Sequence, residues 1–167
     1  PLSGPNERAG VADSREQVDA YLDATVGPDR RELRDAYLEA APGVIAELEA
    51  NPWLEFEWRP FPDYFCEAPG AQTEGRSIYA LDFDATGHED AVHHLRQPLP
   101  AQKGGWKEPY PLIIGGRAFL ARLLVALGQT DAVLLRETDL QSLVVSDGRV
   151  VGARARRPDG EISIGAE

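Results

Sequence analysis

The chain has 167 residues, 43% of them hydrophobic and 27% charged, a balance that suits a globular unit and excludes disordered and fibrous classes. Its formal net charge of -11 repels polyanions, so nucleic acid is not expected as a partner. No apolar run approaches the roughly 20 residues that span a bilayer, and one cysteine, Cys66, excludes an internal disulfide and a cysteine metal cluster and reads as a small apolar filler.

The first 52 residues read as helical. In "ADSREQVDAYLDATVGP" a capping box is available twice, from Asp13 with Glu16 or from Ser14 with Gln17, ahead of Val18, Tyr21, Leu22 and Val26 at helical spacing. Gly27 and Pro28 close that helix. A second pattern starts at Asp29 and carries Leu33, Tyr37, Ala40 and Ala41; Pro42 is expected to start a fresh turn before Val44, Ile45 and Leu48, with a stop at Asn51 and Pro52. The two form a helical hairpin or a kinked continuation.

Residues 53–111 change period. "LEFEWRPF" alternates as a half-buried strand does, and "RSIYALDFDA" alternates less strictly. Prolines at 52, 60, 62 and 69 make any sheet here an edge or an irregular one. Within this stretch "FPDYF" concentrates Phe61, Tyr64 and Phe65; such rings either plug a satellite core, the reading composition favours, or line an apolar pocket with one phenol as its polar tip. Gly87 to Pro111 reads as mostly loop.

In residues 112–167, "GGRAFLARLLVALGQ" places Phe119, Leu120, Leu123, Leu124 and Leu127 on one side of a core helix ending at Gly128. "DAVLLRET" reads as a buried strand. Asp-Gly turns at Asp147 and Gly148 and at Asp159 and Gly160 divide the remainder into an antiparallel meander. The fold class is α+β, built from helical hairpin, irregular strands, core helix and β-meander.

Recognisable chemistry is sparse. His93 and His94 are adjacent and expected to point apart, and with His88 they lack chelating spacing, so all three read as surface histidines and no metal site is expected. "FDATGHED" is acidic but lacks the ligand alternation of a calcium loop. The glycines of "IIGGRAF" read as a tight turn into a helix rather than a dinucleotide fingerprint, and Arg154, Arg156 and Arg157 as a solvated strand face.

The succession "DSREQVDAYLDATVG", "DAYLEAAPGVIAELEANP", "FEWRPFPDYF", "GRSIYALDFD", "IIGGRAFLARLL" and "LVVSDGRVVGARA" closely resembles an internal portion of bacterial 3-ketosteroid Δ1-dehydrogenases, flavoproteins of the fumarate reductase and succinate dehydrogenase flavoprotein superfamily. The resemblance runs from about Glu7 to the end. It implies a segment of a larger α/β, Rossmann-like FAD-binding domain in a cytoplasmic bacterial enzyme, with FAD as cofactor and a 3-ketosteroid as substrate; electron acceptor and oligomeric state stay open. In that family a tyrosine base removes a proton from C2, hydride passes from C1 to the flavin, and donors at the 3-keto oxygen stabilise developing charge.

Carried over by resemblance, Tyr64 is a catalytic-site residue hydrogen-bonded to the base, Phe61 a wall of the steroid pocket, and Leu140 a backbone contact to adenine. The family's phosphate-binding glycine loop matches a region before Pro1, and the base and carbonyl-polarising tyrosines match regions beyond Glu167. The segment alone is therefore expected to hold FAD weakly or not at all and to be inactive. Two other readings stand beside this one: a segment of a sister flavoenzyme, such as a Δ4-type steroid dehydrogenase or fumarate-like reductase, and a non-catalytic acidic α+β binding module.

Overall fold

A computed structural model describes residues 3–105, 107 and 109–166. Two compact units are distinguishable, Pro1–Thr130 and Asp131–Glu167. The first opens with α1 (Gly4–Arg8), a short helix that sequence periodicity does not announce, followed by α2 (Arg15–Thr25) and α3 (Arg31–Glu49). Ser14 is the N-cap of α2, its side chain accepting from the Gln17 amide at 3.2 Å. Asp13, the other capping candidate, is thereby left for a different partner.

Helix α3 runs through Pro42 without a break, a correction to the expected fresh turn. Proline removes one amide donor and crowds the preceding turn, and the flanking leucine, valine, isoleucine and alanine positions hold the helix together across that gap. Arg34 lies against Asp19 and Asp23, Arg31 against Asp23, and Arg15 against Asp35, so opposite charges run along the seam between α2 and α3.

Strand β1 (Phe56–Trp58) pairs antiparallel with β2 (Ile78–Ala80), and β3 (Phe83–Asp84) with β4 (Leu112–Ile113). These strands are shorter than the alternating sequence runs suggest; beyond β1, Pro60 and Pro62 take the alternate positions between the cross-strand donors Arg59, Phe61 and Asp63. Between them lie α4 (Glu89–His93) and α5 (Leu99–Gln102), two short helices where mostly loop was expected; residues 106 and 108 of that stretch lie outside the described residues. His93 and His94 do not point apart: their rings meet edge-on at 4.9 Å. His88 is half-buried against Trp53, at 5.0 Å between centroids, rather than on the surface. In "FDATGHED" the acids serve local turns, Asp84 accepting from the Thr86 amide and Glu89 from the Gly87 amide.

Helix α6 (Gly115–Leu127) is the centre of this unit. Gly115 has φ of 61°, consistent with a tight entry from β4 into the helix. The most buried stripe is not the leucine face that periodicity emphasises but Ala118, Ala121, Val125 and Ala126 together with Arg122. Small residues allow close approach, so Ala118, Ala121 and Val125 pack with Phe83, Ala85, Val92 and Ile113. Phe119 and Leu123 turn to a second cluster around Leu54, Phe56 and Ala80, while Leu120 is exposed. Serving two clusters divides the helix into two buried faces.

The second unit is the meander β5 (Asp139–Ser146), β6 (Arg149–Arg157) and β7 (Gly160–Gly165), in spatial order β5-β6-β7. Asp147 and Gly148 both have positive φ, 49° and 75°, as a tight two-residue hairpin turn needs. The next turn is shifted by one residue: Arg157 pairs with Gly160, leaving Pro158 and Asp159 as the turn. Residues 131–138 form no strand, and Val133 is 80% exposed. The expected buried strand is thus absent here, because an apolar run becomes a strand only where a neighbour takes its amides, and among the described residues no ladder includes it.

Candidate functional site

Residues 59–77 join β1 to β2 and extend their ladder well past the strands. Arg59 donates to the Ser77 carbonyl at 3.4 Å, Phe61 to Glu74 at 2.9 Å and Asp63 to Gln72 at 3.1 Å. "FPDYF" therefore lies on a ribbon. Its tip turns through Ala68, which donates to Phe65, and Ala71, which donates to Ala68. Cys66 sits at that tip and is exposed, not the buried filler expected from its type.

Two glycines let backbone meet backbone. A Cβ on Gly75, where φ is 71°, would fall 1.7 Å from the Phe61 carbonyl oxygen, and one on Gly70, where φ is 75°, would fall 2.1 Å from the carbonyl oxygen of Gln17 in α2. The ribbon is consequently pressed onto the first turn of α2. The Tyr21 hydroxyl there accepts from the Phe65 amide at 3.2 Å.

Arg76 closes the arrangement. Its Nε and Nη2 form a fork on Asp13 at 2.8 and 3.0 Å, Nη1 reaches Asp63, and Nη2 also donates to the Gly70 carbonyl at 2.8 Å. The guanidinium lies 5.7 Å from the Tyr21 ring. Side-chain exposures are 19% for Arg76, 2% for Asp13 and 11% for Asp63. Burial pushes the Asp13 carboxyl up, but hydrogen bonds and charge from Arg76, with the Ser14 amide and Gln72 side chain, outweigh it and hold the group below the usual carboxylate range. Gln72 completes the clamp, its amide donating to Asp63 at 3.0 Å and its side chain to the Ala12 carbonyl at 2.9 Å.

On this rigid backbone the aromatic rings face outward. Phe61, Tyr64 and Phe65 are all exposed, Tyr64 at 88%. The satellite-core reading is overturned: in "FPDYF" the residue aimed inward is Asp63, because the ribbon is fixed by charge and hydrogen bonds rather than by burying rings. A cavity of about 540 Å³ lies between α2, α3 and the ribbon, lined by Val18, Tyr21, Leu38, Ile45 and Ile78 with Asp63 and Arg76. Phe61 and Tyr64 do not line it, so they belong to a separate, open surface.

Leu140 belongs to the second unit. It lies on β5, the outer strand of the meander, opposite Ala155, and a register shift between Leu140 and Ser142 bulges Gln141 out of the ladder. Arg76, Asp13 and Gln72 were missed by sequence reasoning. Their signal is faint: Arg76 stands singly in "GRSI", and Asp13 looked like a cap.

The FAD binding domain family matches residues 1–167, the length of the chain. The chain belongs to this family. Among its relatives, the 3-oxosteroid 1-dehydrogenase of Rhodococcus opacus is 41% identical over 158 residues, 95% of this chain and 31% of that protein. The 3-oxosteroid 1-dehydrogenase of Mycolicibacterium smegmatis is 28% identical over 90% of this chain and 33% of its own length. A solved 3-ketosteroid Δ1-dehydrogenase from Sterolibacterium denitrificans, in complex with 1,4-androstadiene-3,17-dione, superposes on 99% of this chain and 37% of its own with a TM-score of 0.74 at 22% identity, a likeness of fold. This FAD binding domain chain thus spans about a third of the length of those relatives.

Beside Leu140 the outer edge of β5 has no ladder partner among the described residues, so its outward main-chain donors and acceptors are not taken by a strand. The family's fold is therefore represented here by a mixed α and β segment with small antiparallel sheets.

Proposed function

We propose that the chain is a segment of an FAD-dependent 3-ketosteroid dehydrogenase that introduces the 1,2 double bond, with Phe61 and Tyr64 facing the steroid. The observation that carries this reading is the clamped ribbon, which holds aromatic rings exposed on backbone that does not yield. A flat, apolar, rigid ligand gains from such a surface because the rings are ordered before it arrives.

Phe61 provides an apolar wall, and Tyr64 offers a hydroxyl at the reacting edge, donating to the oxygen of the base that takes the C2 proton. Loss of that proton is eased by the neighbouring carbonyl, and a donor to the base oxygen steadies the phenolate-like form that accepts it. Bound FAD would supply the acceptor for the hydride that leaves C1. The Leu140 main chain would hold the adenine end. The ion pairs between α2 and α3 support a helical hairpin; a Rossmann-like domain and a cytoplasmic location accompany the reading.

The test is substrate identity in the whole flavoprotein. Incubation with a saturated 3-ketosteroid and an artificial acceptor is expected to give the 1,2-unsaturated ketone, identified by mass loss of two hydrogens and by two coupled vinyl protons, at C1 and C2, where a 4,5-unsaturated ketone has one. Turnover of fumarate, or of the 4,5 bond with the 1,2 bond untouched, would replace it with a sister reaction.

A further inference from the structure

We infer that Arg76 is a positioning residue for Tyr64, setting the rate of steroid oxidation through the placement of the phenol rather than through contact with the steroid. The inference rests on the proposed role of Tyr64.

The Arg76 side chain ties together the start of α2, the tip turn and the residue next to Tyr64, through Asp13, the Gly70 carbonyl and Asp63 respectively. Asp63 in turn is hydrogen-bonded to Gln72 through both main chain and side chain. The backbone of Tyr64 is thereby fixed on both sides, by Asp63 before it and by the Phe65 amide on the Tyr21 hydroxyl after it.

The guanidinium suits this work because its donors lie in one plane at fixed angles, matching a carboxylate fork and a carbonyl at once, whereas an ammonium is a point charge. With Asp13 and Asp63 shielded from water, an ammonium cannot serve Asp13 through a fork and reach Asp63 and the Gly70 carbonyl at once, so the contacts are lost unevenly and the ribbon can swing. A displacement of about 1 Å in a catalytic group reduces rates by up to about a hundredfold. Substrate affinity, spread over apolar walls, is expected to change far less.

The experiment is a double-mutant cycle in the whole flavoprotein, comparing wild type, Arg76→Lys, Tyr64→Phe and the double variant. Flavin reduction by a 3-ketosteroid is followed in a single turnover beside steroid Kd, flavin content and Tm. Expected are a roughly tenfold or greater fall for Arg76→Lys with Kd changed less than about threefold, and less than about twofold further effect of Arg76→Lys once Tyr64 is Phe. The fall in Tm should be equal in both backgrounds. If Arg76→Lys instead slows both backgrounds by the same factor, or leaves flavin reduction unchanged while Tyr64→Phe slows it, the positioning role is overturned.

If Tyr64→Phe alone has no effect, the role of Tyr64 fails first and the inference falls with it. Should Arg76→Lys lose its flavin, Asp63→Asn replaces it under the same criteria. That variant keeps an acceptor for the Gln72 amide while removing the charge that Arg76 holds.

Discussion

The Asp13 carboxylate, 2% exposed, lies 2.8 Å from the Arg76 guanidinium. In sequence Asp13 competes with Ser14 for the cap of α2; in the fold Ser14 takes the cap and Asp13 becomes the buried half of an ion pair with Arg76. Its carboxyl is held below the usual range in the folded protein, so its contribution to stability is present above the unfolded value of about 3.9 and is lost as pH falls through the lower folded value. Asp13→Asn should therefore destabilise at pH 7, and the difference from wild type should shrink below about pH 4. Denaturation midpoints across that range check it; a difference that stays constant to pH 3 would show that packing, not ionisation, is what Asp13 supplies.

At the level of elements, α6 was legible as a helix but its buried face was not. Periodicity weights the large leucines, whereas Ala118, Ala121 and Arg122 do the close packing. Arg122 donates from Nε to Leu81, from Nη1 to Trp53 and from Nη2 to Asp82, all carbonyls, at 2.9 to 3.0 Å. It also lies 5.8 Å from the Phe83 ring. One buried side chain thus ties α6 to the segment before β1 and to the link between β2 and β3. Arg122→Met fills the space but leaves those carbonyls without donors, at a cost of about 3 to 5 kcal/mol, read from chemical denaturation of the whole flavoprotein; a loss below about 1 kcal/mol would mean that water replaces the guanidinium. The hairpin turn at Asp147 and Gly148 was readable because positive φ restricts residue choice. The apolar run at 131–138 misled, since apolarity signals that a segment is to be covered without saying by what.

For the whole molecule, the chain spans about a third of its relatives, and that shapes which features make sense alone. Exposed Tyr64, Phe61 and Val133 have no core to enter within their own units, yet the ribbon beneath Phe61 and Tyr64 is fixed by a buried fork and two glycines that admit no side chain. Such rigidity is costly to build for a surface that nothing touches. The family resemblance was legible in the order of short motifs, and the aromatic loop within it; the clamp was not, because Asp13, Asp63 and Arg76 meet only after α2, β1 and β2 have folded. On the proposed reading this ribbon places Tyr64 at the reacting edge of a 3-ketosteroid. That placement is tested most directly by anaerobic mixing of the whole flavoprotein, wild type and Tyr64→Phe, with a 3-ketosteroid while flavin absorbance is followed. Wild-type flavin is expected to bleach, and Tyr64→Phe, with steroid affinity and flavin content preserved, to bleach roughly ten- to a hundredfold more slowly, the value of one charge-assisted hydrogen bond. Equal rates in the two proteins would contradict it.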